Sequence, residues 1–152
     1  MGLDMYLTKE VFIGGEYEHR EVSGVCKITL GRDKINLNIP IERIGTIILE
    51  VGYWRKANHI HDWFVKNVQS GTDDCGRYYV SLDKLKELKK LCKDVIKNTK
   101  LAGEVLPTKS GFFFGGTDYD EYYIEDCKNT IKIIDKALND KISGDLYYQS
   151  SW

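Results

Sequence analysis

No stretch of this chain approaches the ~18 consecutive apolar residues of a membrane-spanning helix. The start MGLDMY carries neither a basic run nor the apolar core of a signal peptide, and Tyr6 stands where a myristoylation site wants Ser or Thr. A protein of the cytosol is therefore expected, with no membrane partner. Cysteine is sparse and dispersed. Cys26, Cys75, Cys92 and Cys127 form no CxxC pair, which argues for free thiols over a disulfide frame. A structural zinc site is equally unsupported, because His59 and His61, at i and i+2, diverge on a helix. A net charge of −1 supplies no global field to hold a long nucleic acid or an anionic membrane. Neither GxxxxGK[ST] nor GxGxxG occurs, so no phosphate-loop or dinucleotide fingerprint calls for a cofactor.

What is present is an ordinary globular composition, 42% apolar and 30% charged, with an unusual share of aromatics that includes ten tyrosines. A chain of 152 residues suits a single domain, long enough to bury about 70% of its unfolded surface. Tyrosine suits a binding surface through its stacking face and hydroxyl, and it suits strands and core edges equally.

Residues 3–13 read as a first strand ending at Gly14-Gly15, followed by a polar loop over 14–24. Residues 25–31 and 34–39 alternate around Gly31-Arg32-Asp33, the signature of a hairpin closed by Pro40. The β-branched and aromatic run 44–54 makes the next strand. From Lys56 to about Gln69, apolar residues recur at helical spacing, predicting an amphipathic helix. Arg77–Val80 is extended, and Ser81 then caps a helix striped by Leu82, Leu85, Leu88, Cys92, Val95 and Ile96. Its lysines populate a solvated face. A third helix, capped by Thr117 or Asp118, carries Ile124, Cys127, Ile131, Ile134 and Leu138. The tail DLYYQSSW can close the fold as a strand, with Trp152 docking on the domain or on a second copy in a homo-oligomer. The class is α+β, with N-terminal antiparallel strands packed with three helices from the C-terminal half.

Five segments carry a resemblance: MGLDMYL at the start, YWRKANHIHDWFV over Tyr53–Val65, CGRYYV over Cys75–Val80, LPTKSGFFFGGTDYDEYY over Leu106–Tyr123, and YYQSSW at the end. In this order they resemble a family of small proteins encoded by phages, prophages and some bacteria. The resemblance spans essentially the whole chain. It implies a mobile-element context and an action on host processes, and it carries no reaction with it.

Two constellations concentrate the chemistry. In the first, Arg55 and Lys56 place two cations at an expected helix start, where the dipole disfavours them unless an anion sits between. Arg55, Asn58 and Asp62 then form a polar stripe, Trp54 offers a stacking face, and His59 can meet a phosphate. The same residues also fit a surface salt-bridge stripe over a core tryptophan. His61 shares the apolar stripe and is either a core-edge histidine or a ligand contact. The second is SGFFFGGTDYDEYY. An extended Phe112-Phe113-Phe114 run would point Phe113 away from its neighbours, and Gly115, Gly116 and Thr117 would bring a phosphate-cradling backbone to a helix start. Asp118, Asp120 and Glu121 suit capping, a metal or ribose hydroxyls.

Trp54, Arg55, Lys56, Asn58, His59 and His61, joined by Ser110, Phe113, Gly116, Thr117, Tyr119, Glu121 and Tyr122, are the expected ligand contacts. Together they describe a pocket for a flat ring bearing phosphate better than a hydrolytic centre. No catalytic set and no metal site emerge. The expectation is a non-enzymatic binder of a small nucleotide-like ligand, in the phage context a sponge that sequesters a host nucleotide immune signal and blunts anti-phage defence. Two alternatives stand beside it: a phosphoester- or nucleotide-processing enzyme using His59 or His61 with Arg55, and a protein-binding inhibitor of a host factor.

Overall fold

The computed structural model describes residues 2–14, 17–19, 23–31 and 35–152. Met1, residues 15, 16 and 20–22 of the expected loop, and Arg32, Asp33 and Lys34 of the expected hairpin lie outside the described residues. The chain divides into two compact units, one of Met1–Lys9 with Glu50–Trp152 and the other of Glu10–Leu49. The class is α+β, as the order of strand and helix patterns predicts.

In chain order the elements are β1 (Asp4–Phe12), β2 (Val25–Leu30), β3 (Ile35–Pro40), β4 (Thr46–Arg55), α1 (Asn58–Asn67), β5 (Arg77–Tyr79), α2 (Leu82–Lys97), α3 (Ala102–Val105), α4 (Glu121–Asn139) and β6 (Asp145–Ser151). In the smaller unit β2 and β3 pair antiparallel, with Cys26 opposite Ile39 and Ile28 opposite Leu37. Cys26, Ile28, Leu37 and Ile39 thereby share a face, since side chains alternate with a period of two.

A four-stranded sheet runs in the order β4-β1-β6-β5. The last strand therefore lies inside the sheet, pairing antiparallel with β5 so that Tyr78 faces Tyr148. Alternation sets what each strand buries. Leu3, Met5 and Leu7 are fully buried around β1, and Leu146, Tyr148 and Ser150 are the buried members of β6. Leu85, Leu88, Cys92 and Val95 of α2 and Tyr123, Cys127, Ile134 and Ala137 of α4 complete the core. Leu82 is half exposed, so the α2 stripe starts one turn later than its periodicity suggests. Ser81 caps α2 by accepting from the Lys84 amide. The cap of α4 is Asp120, which accepts from the Tyr123 amide at 3.1 Å, and not Thr117 or Asp118. A carboxylate directly before the first turn satisfies an orphan N–H and opposes the helix dipole.

The largest departure from expectation is α1. It begins at Asn58, after Lys56 has turned through a positive φ of 59°, and every residue from Asn58 to Val65 is buried. It is an internal helix, where the spacing predicts one with an exposed polar stripe. Phe64 stacks on Tyr148 at 3.9 Å, Trp54 meets Phe64 edge-on, and Tyr123 of α4 covers His59 at 4.1 Å.

Close approach of α4 to β4 depends on Gly52. A Cβ built there collides with Cγ2 of Ile133, and the other branch of that side chain also blocks it. Gly52→Ala is expected to lower stability by about 1–3 kcal/mol through overpacking. Chemical denaturation of Gly52→Ala, Ile133→Ala and the double variant checks this. Partial recovery in the double variant, relative to the sum of the singles, identifies the clash as the cause.

Candidate functional site

A cleft of about 390 Å³ opens where the end of β4 and the start of α1 meet the Gly115–Asp126 segment. Arg55 and Lys56 stand on one wall. Thr108, Gly115, Gly116 and Asp118 form the loop side, and Tyr122, Glu125 and Asp126 come from α4 at i, i+3 and i+4, one helix face. His59 and Tyr123 lie behind them. The two aromatic-rich constellations of the sequence thus meet around one cavity.

Asn58 is what holds them together. Its amide donates to the carbonyls of Phe114 at 3.0 Å and Gly116 at 2.7 Å, and its side-chain oxygen accepts from the Lys109 amide at 2.9 Å. A side chain so fully engaged is a clasp for the loop and has little capacity left for a ligand. Gly115 is required at the closest point. It adopts φ +87°, and a Cβ would sit 3.2 Å from the Lys56 carbonyl.

The charges around the cleft differ from those of a simple anion site. Arg55 closes β4, and Lys56 precedes the helix, so the cations do not crowd a helix start. Against them stand Asp118, Asp120, Glu125 and Asp126. Arg55 reaches Asp4 only at 3.9 Å, and Glu125 pairs with Lys128 at 3.5 Å. Asp126 is half-buried, and its carboxylate has no hydrogen bond or ion pair among the described residues. Burial, with Asp120 and Glu125 adding repulsion, pushes its pKa up to about 6. A charged group left in that state is expensive unless a ligand meets it.

His59 is buried at the back of the cleft, and desolvation pulls its pKa down to about 3, so the ring is neutral at physiological pH. Its Nε2 lies 3.8 Å from Sγ of Cys127. Hydrogen bonding to Cys127 and burial raise the Cys92 thiol far above its ordinary range, so this thiol stays protonated. Burial likewise raises Tyr123, whose hydroxyl donates to the Leu106 carbonyl at 2.8 Å.

His61 belongs to a different cluster. Nδ1 lies 2.7 Å from the Tyr148 hydroxyl and Nε2 3.0 Å from Asp73, whose second oxygen accepts from the Trp152 indole at 3.1 Å. Phe114 packs edge-on against both His61 and Trp152. The tail therefore docks within its own chain, and His61 ties it to the loop whose next residue lines the cleft.

The other expected contacts distribute unevenly. Trp54 is 1% exposed in the core and donates to Thr130 at 2.9 Å, so its face is closed to a ligand. The Phe112–Phe114 run is a turn and not extended, with the Phe114 amide bonded to the Gly111 carbonyl at 3.2 Å. Phe112 projects outward, and half-buried Phe113 accepts through its carbonyl from Leu3. Gly115, Gly116 and Thr117 lie ahead of a helix that starts only at Glu121, so they form no helix-start cradle. The Thr117 carbonyl accepts from Thr108, and the exposed Tyr119 hydroxyl accepts from the Thr108 amide. Ser110 is exposed on the loop, and Glu121 is exposed on the first turn of α4, outside the cleft.

Asp126 is the functional candidate that sequence reasoning missed. The available signal was the helical offset of Asp126 from Tyr122. In comparisons with protein-family models, with curated proteins and with solved structures, nothing matches this chain.

Proposed function

We propose that the protein is a non-enzymatic binding protein for a small nucleotide-like molecule, held in the cleft between the Arg55–His59 junction and α4. The observation that carries this reading is a cavity of ligand size with charged groups of both signs facing it, among them a half-buried Asp126 carboxylate without a partner among the described residues. A nucleotide presents the matching chemistry in one molecule. Its phosphate suits Arg55 and Lys56, its hydroxyl and N–H donors suit the carboxylates, and its ring suits the exposed face of Tyr122.

Sequestration fits these residues better than turnover. His61 is engaged on both nitrogens and is sealed away from the cleft, whereas His59 is too weakly basic at neutral pH to take a proton efficiently. The resemblance to phage-encoded proteins supplies the setting: a sponge in the host cytosol that removes a nucleotide immune signal and so counters anti-phage defence. Among the described residues no helix is long and apolar enough to cross a membrane.

The test is mass spectrometry of the protein purified from cells with active nucleotide-based defence, denatured to release whatever it holds, with Arg55→Ala alongside. An intact nucleotide from the wild type, depleted in Arg55→Ala, is the expected result. Adding it back at one hundred times its Kd should stabilise the protein by about 2.7 kcal/mol. A chemically altered product would establish an enzyme instead. If no nucleotide co-purifies and none raises the melting temperature, the proposal fails.

A further inference from the structure

The walls of the cleft differ in how completely their charges are already satisfied. Asp120 is committed to the Tyr123 amide, Glu125 pairs with Lys128, and Asp118 is exposed on the loop. Asp126 alone of the four is partly withdrawn from water while making no hydrogen bond or ion pair to a described residue. It sits one helical turn from Tyr122, on the same face of α4 and on the same cavity. An ionised carboxylate is an acceptor only, with two oxygens that take two parallel N–H bonds most favourably. Among the described residues no three or more His, Cys, Asp or Glu side chains are grouped to hold a metal ion.

We propose that the ring this cleft selects is a guanine-type base, whose adjacent ring N–H and exocyclic amine donate together to the Asp126 carboxylate while the ring lies against Tyr122. This inference rests on the nucleotide-binding reading above and narrows it to one base class. Of the common bases, only guanine offers two neighbouring donors on its pairing edge. Adenine and cytosine set a ring-nitrogen lone pair beside the amine, which meets the second carboxylate oxygen with repulsion. Uracil places its single N–H between two carbonyl acceptors. A site with a fixed acceptor pair rejects a ring that lacks the second donor, because one buried oxygen is then left without a partner.

Isothermal titration of the full chain with guanosine, inosine, adenosine and cytidine monophosphates tests the inference. Guanosine monophosphate is expected to bind at least about tenfold more tightly than inosine monophosphate, which lacks only the exocyclic amine, and the other two more weakly still. Asp126→Asn should abolish the guanosine-over-inosine preference without lowering the melting temperature of the free protein, since it removes a charge with no partner among the described residues. The possible failures separate cleanly. Equal affinity for guanosine and adenosine monophosphates, both weakened by Arg55→Ala, overturns the guanine assignment and leaves the nucleotide reading standing. An Asp126→Asn variant that keeps the full preference overturns the role of Asp126 and with it the inference. Binding of none of the four overturns both.

Discussion

Lowering the pH from 7 towards 3 is expected to remove about 4–5 kcal/mol of the stability that His59 contributes. The folded ring has a pKa of about 3 against an ordinary 6.5. Between those values the unfolded chain binds a proton that the folded chain refuses. Stability is therefore complete above about pH 6.5 and falls by about 1.4 kcal/mol for each pH unit below it, until the folded ring itself titrates. Asp126 acts in the opposite direction. Its folded pKa, about 6, exceeds the ordinary 3.8, so between those values the folded state holds the extra proton. Its influence becomes more favourable as pH falls and less favourable as pH rises through 6. The wild-type curve should consequently be flattened between about pH 6 and pH 4, with the His59 loss exposed below that. Urea titrations at pH 7, 6, 5 and 4 check both signs. Asp126→Asn should show the steeper acid slope, and His59→Gln should lose the slope whatever its absolute stability. Parallel curves for wild type and His59→Gln would falsify the assignment of this proton to His59.

Asn58→Ala is expected to cost on the order of 3 kcal/mol and to free the loop from Lys109 to Gly116. Alanine leaves two carbonyls and one amide of that loop without their partner, and the loss of three part-buried hydrogen bonds at about 1 kcal/mol each sets the size of the effect. Asn58→Asp should recover little. A carboxylate can still accept from the Lys109 amide, but it turns two donor positions into acceptors facing carbonyl oxygens. Hydrogen exchange gives the local readout: the Lys109 amide should lose its protection in both variants, while amides in the middle of α2 keep theirs. A cost below ~0.5 kcal/mol with Lys109 still protected would show that the loop is held by other means. Because the loop forms one side of the cleft, ligand affinity should fall along with this protection.

Much of the fold is legible in the sequence. Alternation marks β2 and β3, Ser81 marks the start of α2, and the apolar spacing along α4 picks out Cys127 and Ile134 as buried. Each of these signals is local, since strand and helix periodicities are properties of neighbouring residues. The site is legible in outline only. YWRKANHIHDWFV and SGFFFGGTDYDEYY can be recognised as chemically dense, and they do meet at one cavity, yet the roles within them were not readable. Trp54, offered as a stacking face, is a core residue bonded to Thr130. Asn58, offered as a ligand contact, is the clasp. The two histidines, two residues apart, serve different clusters, because successive helical positions point about 100° apart.

By itself the sequence determined the class of the fold, the succession of strands and helices and the two segments that line the cleft, because these follow from periodicity, capping and local composition. Only the tertiary structure decided that α1 lies inside the protein. A helix with Asn58, His59, His61 and Asp62 on its surface is buried at a tolerable cost only when each polar group finds a partner. Asp62 finds Lys66 one turn on, but the other partners come from far along the chain: Tyr148 for His61, across 87 residues; Gly116 for Asn58, across 58; and Cys127 for His59, across 68. No local pattern encodes such pairings, and the same packing left the Asp126 carboxylate at the cleft without a partner among the described residues.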